Sequence, residues 1–145
     1  MAGRSRRYGL ADTAQQLVGG FLLAGPFVVT EEVWVLANNM TTGHTIVTVG
    51  IVFAIGYGAL YKADDDRDPD REAEIAGVPL RFISLMAISF GSVLILALAL
   101  TAPTTFAATV GGIDTTVALV AFTLKATSVG AIFSVVGAAT ADSVF

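Results

Sequence analysis

The chain contains no cysteine and a single histidine, His44. The first absence excludes a disulfide framework, thiol catalysis and thiolate metal sites. The second excludes any metal centre built from several imidazoles. Lysine is scarce, with Lys62 and Lys125 the only two. The formal net charge is −4 and the basic content is small, so nucleic acid is not an expected partner. There is no glycine-rich phosphate loop, and one histidine at a loop edge does not complete a serine–histidine–acid set. The expectation is a chain that is not an enzyme and carries no cofactor or metal.

What the chain has in excess is apolar surface. Of its 145 residues 54% are hydrophobic and only 14% charged, and mean hydropathy is +0.76. Four apolar runs of about 17 to 23 residues satisfy the length needed to cross a ~30 Å hydrocarbon core. They lack the alternation of a membrane-barrel strand. The fold class expected is all-α: one domain over 1–145 forming an integral membrane four-helix bundle, with helices at roughly 13–36, 44–61, 78–101 and 115–141. Residues 63–77 form the long hydrophilic loop, and Ala102–Asp114 reads as a weakly polar loop. The lipid bilayer is the principal partner.

Basic residues set the orientation. Arg4, Arg6 and Arg7 precede the first helix, like the n-region of a signal peptide, but the apolar run continues too far and offers no cleavage site. Lys62, Arg67, Arg71 and Arg81 lie between or beside helices two and three. The remaining loops have no basic residue. The positive-inside rule places both termini and the 63–77 loop in the cytoplasm of a multi-pass cell-membrane protein. Such one-sided bias argues against an antiparallel, dual-topology dimer.

Small residues recur at helical spacing: Gly50, Ala54 and Gly58 on helix two, and Thr123, Thr127, Gly130, Ser134, Gly137 and Ala141 on helix four. Gly20 with Ala24, and Ser84, Ala87 and Gly91, make shorter faces on helices one and three. Such stripes allow close helix approach in lipid. The stripe on helix four is long enough for a neighbour within the chain and another outside it, which makes a homo-oligomer the expected state.

The stretch Gly19 to Trp34 is apolar yet holds Glu31 and Glu32. Carboxyl groups inside a membrane helix are costly and call for a partner. They fall about five residues short of the outer end of helix one, roughly 8 Å deep. Lys125 falls about nine residues into helix four, roughly 13 Å deep. The expectation is that Lys125 approaches Glu31 or Glu32, forming an ion or proton site. Gly25 and Pro26 suggest a kink one to two turns earlier. Near the inner surface, Arg81 shares the depth of Asp142 and Asp12 and reads as a structural charge anchor. Trp34 falls where an aromatic belt forms.

Two weaker patterns carry little. Asp64 to Glu72 is acidic at the first, third and fifth positions of a calcium loop, but Pro69 and Ile75 replace its glycine and glutamate. Asn39-Met40-Thr41 is a glycosylation sequon close to the membrane.

The segments Leu10 to Gln16, Gly19 to Trp34, Gly56 to Tyr61 with Asp64 to Glu74, and Lys125 to Phe145 resemble a domain-of-unknown-function family of integral membrane proteins in haloarchaea. The series Gly25, Pro26, Thr30, Glu31 or Glu32, and Trp34 is also similar to longer bacterial membrane proteins of unknown function. The resemblance implies an archaeal membrane and a halophilic source, in keeping with an Asp-rich, Lys-poor surface. It implies no activity. Two functions follow from the residues: an oligomeric ion or proton channel or transporter using Glu31, Glu32 and Lys125, or a structural or accessory membrane protein whose charges only hold the helices together.

Overall fold

The computed structural model describes residues 9–62, 74–75 and 77–144. The described residues are almost entirely helical. Helix α1 spans Leu10–Val28 and α2 spans Glu31–Asn39, and their axes differ by 81°. The single helix expected over 13–36 is therefore two. The kink expected at Gly25 and Pro26 also lies elsewhere, because Pro26 is inside α1 and the helix runs two residues beyond it.

Local hydrogen bonding explains the position of the break. The backbone N–H and hydroxyl of Thr30 both donate to Phe27 O, at 3.1 and 2.8 Å. The Trp34 indole Nε1 donates to Val28 O at 2.9 Å. Carbonyls that a continuing helix would use are thus taken by side chains and a turn. Glu31 and Glu32 then open α2, where carboxylates favour the positive end of a helix dipole.

Helix α3 (Thr42–Tyr57) starts on a local cap: Thr41 Oγ accepts the His44 N–H at 3.2 Å, and the Thr41 N–H donates to His44 Nδ1 at 3.1 Å. The one imidazole is spent on ending a loop. A π-helical turn, Gly58–Lys62, extends α3. Strands β1 (Glu74–Ile75) and β2 (Val78–Pro79) pair antiparallel around Gly77, whose φ of 83° is in the left-handed region. Helix α4 spans Leu80–Ala99. Ala102–Val110 forms a short helix, α5, rather than the expected loop; Pro103 sits in its first turn, where its missing N–H costs nothing. Helix α6, Thr116–Val144, has 29 residues and a length of about 43 Å.

Among the described residues, α3 with its π turn, α4 and α6 are each long and apolar enough to cross a membrane, and α1 with α2 makes a fourth if the bent pair is one span. Helix α6 is the axis. It packs most extensively on α1, then on α4 and α3, and its first half also meets α2 and α5. The crossing with α1 is glycine on glycine: a Cβ on Gly19 would collide with Gly137 O, and one on Gly137 with Gly19 O. Gly130 makes similar room for Val93 of α4.

The stripe on α6 is thus used within the chain. Among the described residues the stripe on α3 is not: a Cβ on Gly50 or Gly58 would meet none of them within 4 Å, whereas Gly56 lies against Met86, Val135 and Leu85. Val52, Gly56 and Leu60 form the packed face, and a two-residue step of 200° puts Gly50, Ala54 and Gly58 opposite.

Two apolar clusters result. Val52, Leu60, Leu85, Met86, Ala131, Val135 and Ala138 join α3, α4 and α6. Ala24, Val28, Val33, Trp34, Val93, Ala97, Phe122 and Ala126 join α1, α2, α4 and α6, with Ala102 of α5, at the end occupied by the short helices.

Candidate functional site

The first turns of α1 and α4 and the last turns of α6 converge at one end of the molecule. Three charged side chains are buried there: Asp12, Arg81 and Asp142. Arg81 Nη1 donates to both carboxylate oxygens of Asp142, at 2.8 and 3.0 Å, and lies 3.5 Å from Asp12 Oδ1. Asp12 Oδ2 also accepts the N–H of Gly9 at 2.8 Å, tying the start of α1 to the same group. The Arg81 side chain is 4% exposed and that of Asp142 0%. Withdrawing such charges from water costs several kcal/mol each, and close, hydrogen-bonded opposite charges offset that cost.

Polar contacts continue from this cluster between α1, α4 and α6. Ser84 Oγ donates to Gln16 Oε1 at 2.7 Å, one turn along α1 from Asp12. Farther on, Ser92 Oγ and Ser134 Oγ are 2.7 Å apart and fully buried. Gly20 covers this pair, and a Cβ there would come within 2.7 Å of Ser134 Oγ and 2.8 Å of Ser92 Oγ. Gln16 is completely buried, and its Nε2 has no hydrogen-bond acceptor among the described residues. The signal in the sequence was the spacing of Asp12, Gln16 and Gly20, which sets one polar, narrow face on α1. Beyond Ser92 and Ser134 the seam gives way to Ala24, Val28, Val93 and Ala97.

Glu31, Glu32 and Lys125 are arranged differently. Both glutamates are exposed and Lys125 is half-buried. Among the described residues no ion pair within 4.0 Å joins Lys125 to either glutamate, and none of the three side chains has a hydrogen-bond partner. The expected pairing within the chain does not form because the 81° bend turns α2 away from the line of α1, carrying its first turn to the surface. Height does agree. Lys125 precedes Asp142 by 17 residues on α6, about 26 Å. Val28, where α1 ends, follows Asp12 by 16 residues, about 24 Å. The two charge groups are thus separated by slightly less than a ~30 Å hydrocarbon core.

Trp34 is not in a lipid-facing belt. It is 1% exposed, stacked on Phe106 of α5 at 5.6 Å and tilted against Phe122 of α6 at 5.1 Å. This packing fixes α2 across the end of α6. Gly25 and Pro26 lie in α1 on its half-buried and exposed sides. No three acidic or histidine side chains among the described residues are grouped to hold a metal ion. The calcium-loop pattern from Asp64, and Arg4, Arg6, Arg7, Arg67 and Arg71, fall outside the described residues.

Comparison with curated proteins and with solved structures finds no match. The sequence pattern of one family matches residues 3–144, nearly the whole chain, and its description agrees with the apolar helices found here. This chain belongs to the family described as "Putative integral membrane protein (DUF2391)".

Proposed function

We propose that this chain is a structural or accessory membrane protein, a single transmembrane four-helix bundle in which α1 with α2 counts as one broken span. Both termini and the 63–77 loop lie in the cytoplasm on this reading, since the basic residues flank that side. The Asp12–Arg81–Asp142 group then marks the inner surface, and α2 and α5 cap the outer one. The observation that carries the function is the engagement of Arg81: it joins α4 to α6 through Asp142 and approaches Asp12 of α1, from positions far apart in sequence. A guanidinium held this way sets helix register. No catalytic group or cofactor belongs to this reading, and the Asp-rich, Lys-poor composition supports a haloarchaeal, high-salt setting.

The test is ion and proton flux in liposomes. The wild type is expected to match protein-free liposomes under sodium, potassium, chloride and pH gradients. Flux above that background that falls with Glu31→Gln, Glu32→Gln or Lys125→Met overturns the structural role. It would support a second reading, an oligomeric channel or transporter. One observation favours that alternative: Glu31, Glu32 and Lys125 are left without partners in the described chain.

A further inference from the structure

We infer that Lys125 forms its ion pair with Glu31 or Glu32 of a second copy of this chain, in the same membrane orientation. Three observations lead there. The first is the absence of a partner for any of the three side chains among the described residues. Ionisable residues at membrane depth are rarely left alone; they pair or face water.

The second is height. Measured from the Asp12–Arg81–Asp142 group, Lys125 and the end of α1 lie about 26 and 24 Å along their helices. Trp34 packs on Phe122, one turn from Lys125, so α2 is held at that level. Copies inserted in parallel therefore present the cation and the carboxylates in one plane.

The third is the chemistry around each charge. On α6, Lys125 shares a face with Ile132 and Val136 at the i+7 and i+11 positions, and Val136 is 41% exposed. On α2, Glu31 and Glu32 precede Val35 and Leu36 by one turn each, exposed by 38% and 57%. One surface is a cation beside aliphatic side chains, and the other is two carboxylates beside aliphatic side chains. They are complementary to each other and not to themselves. Reciprocal pairing of the two faces about a two-fold axis closes a dimer, and one-way pairing closes a larger ring when the rotation between copies allows. Lipid phosphates would satisfy Lys125 by snorkelling but would repel the anionic glutamates. The inference holds whether or not anything crosses the membrane.

The natural absence of cysteine makes the test direct. Two differently tagged copies, one carrying Lys125→Cys and the other Glu31→Cys or Glu32→Cys, are co-expressed and treated in membranes with a short thiol–thiol cross-linker. A linker is needed because an ion pair of long side chains holds Cα atoms farther apart than the 4.4–6.8 Å of a disulfide. The expected result is a product containing both tags, while Gly50→Cys paired with Lys125→Cys gives none. The mass of the untreated wild type in lipid nanodiscs is expected to be that of two or more chains. Lys125→Glu is expected to shift that mass to one chain, and Glu31→Lys with Glu32→Lys in the same chain to restore it. A single-chain mass for the wild type overturns the inference, as does an oligomer in which Lys125→Cys cross-links only to positions away from α2.

Discussion

Gly19 of α1 and Gly137 of α6 meet backbone against backbone, so that neither residue has room for a Cβ. This crossing brings Asp12 and Asp142, near the ends of the same two helices, into reach of one guanidinium. Gly137→Val forces the helices apart, and overpacking of this kind costs about 1–3 kcal/mol. Gly50→Ala is the contrasting change: a Cβ there meets none of the described residues, and replacing a mid-helix glycine gains about 0.5–1 kcal/mol. Reversible unfolding in mixed micelles is expected to rank the variants in that order, with Gly137→Val least stable and Gly50→Ala at or above wild type.

Trp34 reports on the cap formed by α2 and α5, and it is the only tryptophan. Being 1% exposed, its fluorescence is expected to resist quenching by iodide and by lipid-borne quenchers alike. Trp34→Phe keeps a ring against Phe106 and Phe122 but loses the bond to Val28 O, an expected cost of about 0.5–1.5 kcal/mol. Trp34→Ala removes the ring as well, at about 3–5 kcal/mol. Equal effects of the two substitutions would show that the indole hydrogen bond, not the ring packing, holds α2 in place.

The break between α1 and α2 is expected to survive Pro26→Ala. Proline lies within α1, and the contacts that end the helix come from Thr30 and Trp34. Spin labels on the exposed faces of α1 and α2, at Val18 and Leu36, provide the measurement. Their separation by pulsed EPR should be unchanged in Pro26→Ala. A lengthening of several ångströms, as the pair straightens, would assign the break to the proline.

The reasons for legibility differ by element. Hydropathy located the long helices because a membrane span must satisfy its backbone internally and remain apolar for some twenty residues. Helix position alone gave Arg81, Asp12 and Asp142 a common depth, and the structure brings them together. The break after Val28 was hidden because it depends on an indole reaching back six residues to a carbonyl, which no local pattern announces. Proline offered a plausible but wrong position. Helix α5 was hidden by Thr104, Thr105 and Thr109, residues of low helix propensity, and it is fixed instead by its contact with Trp34. Depth also suggested that Lys125 meets Glu31 or Glu32. Height alone left out the direction in which each side chain faces, and that direction changes at the 81° bend.

The claim that Arg81 sets the register of α1, α4 and α6 is tested most directly by a double-mutant cycle between Arg81 and Asp142. Arg81→Met alone leaves buried carboxylates without their guanidinium and is expected to cost about 3–5 kcal/mol. Asp142→Asn alone weakens the same contact. Unfolding free energies of wild type, both single variants and the double variant, in one lipid or micelle composition, give the coupling. The double variant is expected to be less damaged than the sum of its parts, by about 0.5–3 kcal/mol. Additivity within about 0.3 kcal/mol would contradict it, leaving Arg81 and Asp142 as neighbours that do not act on each other.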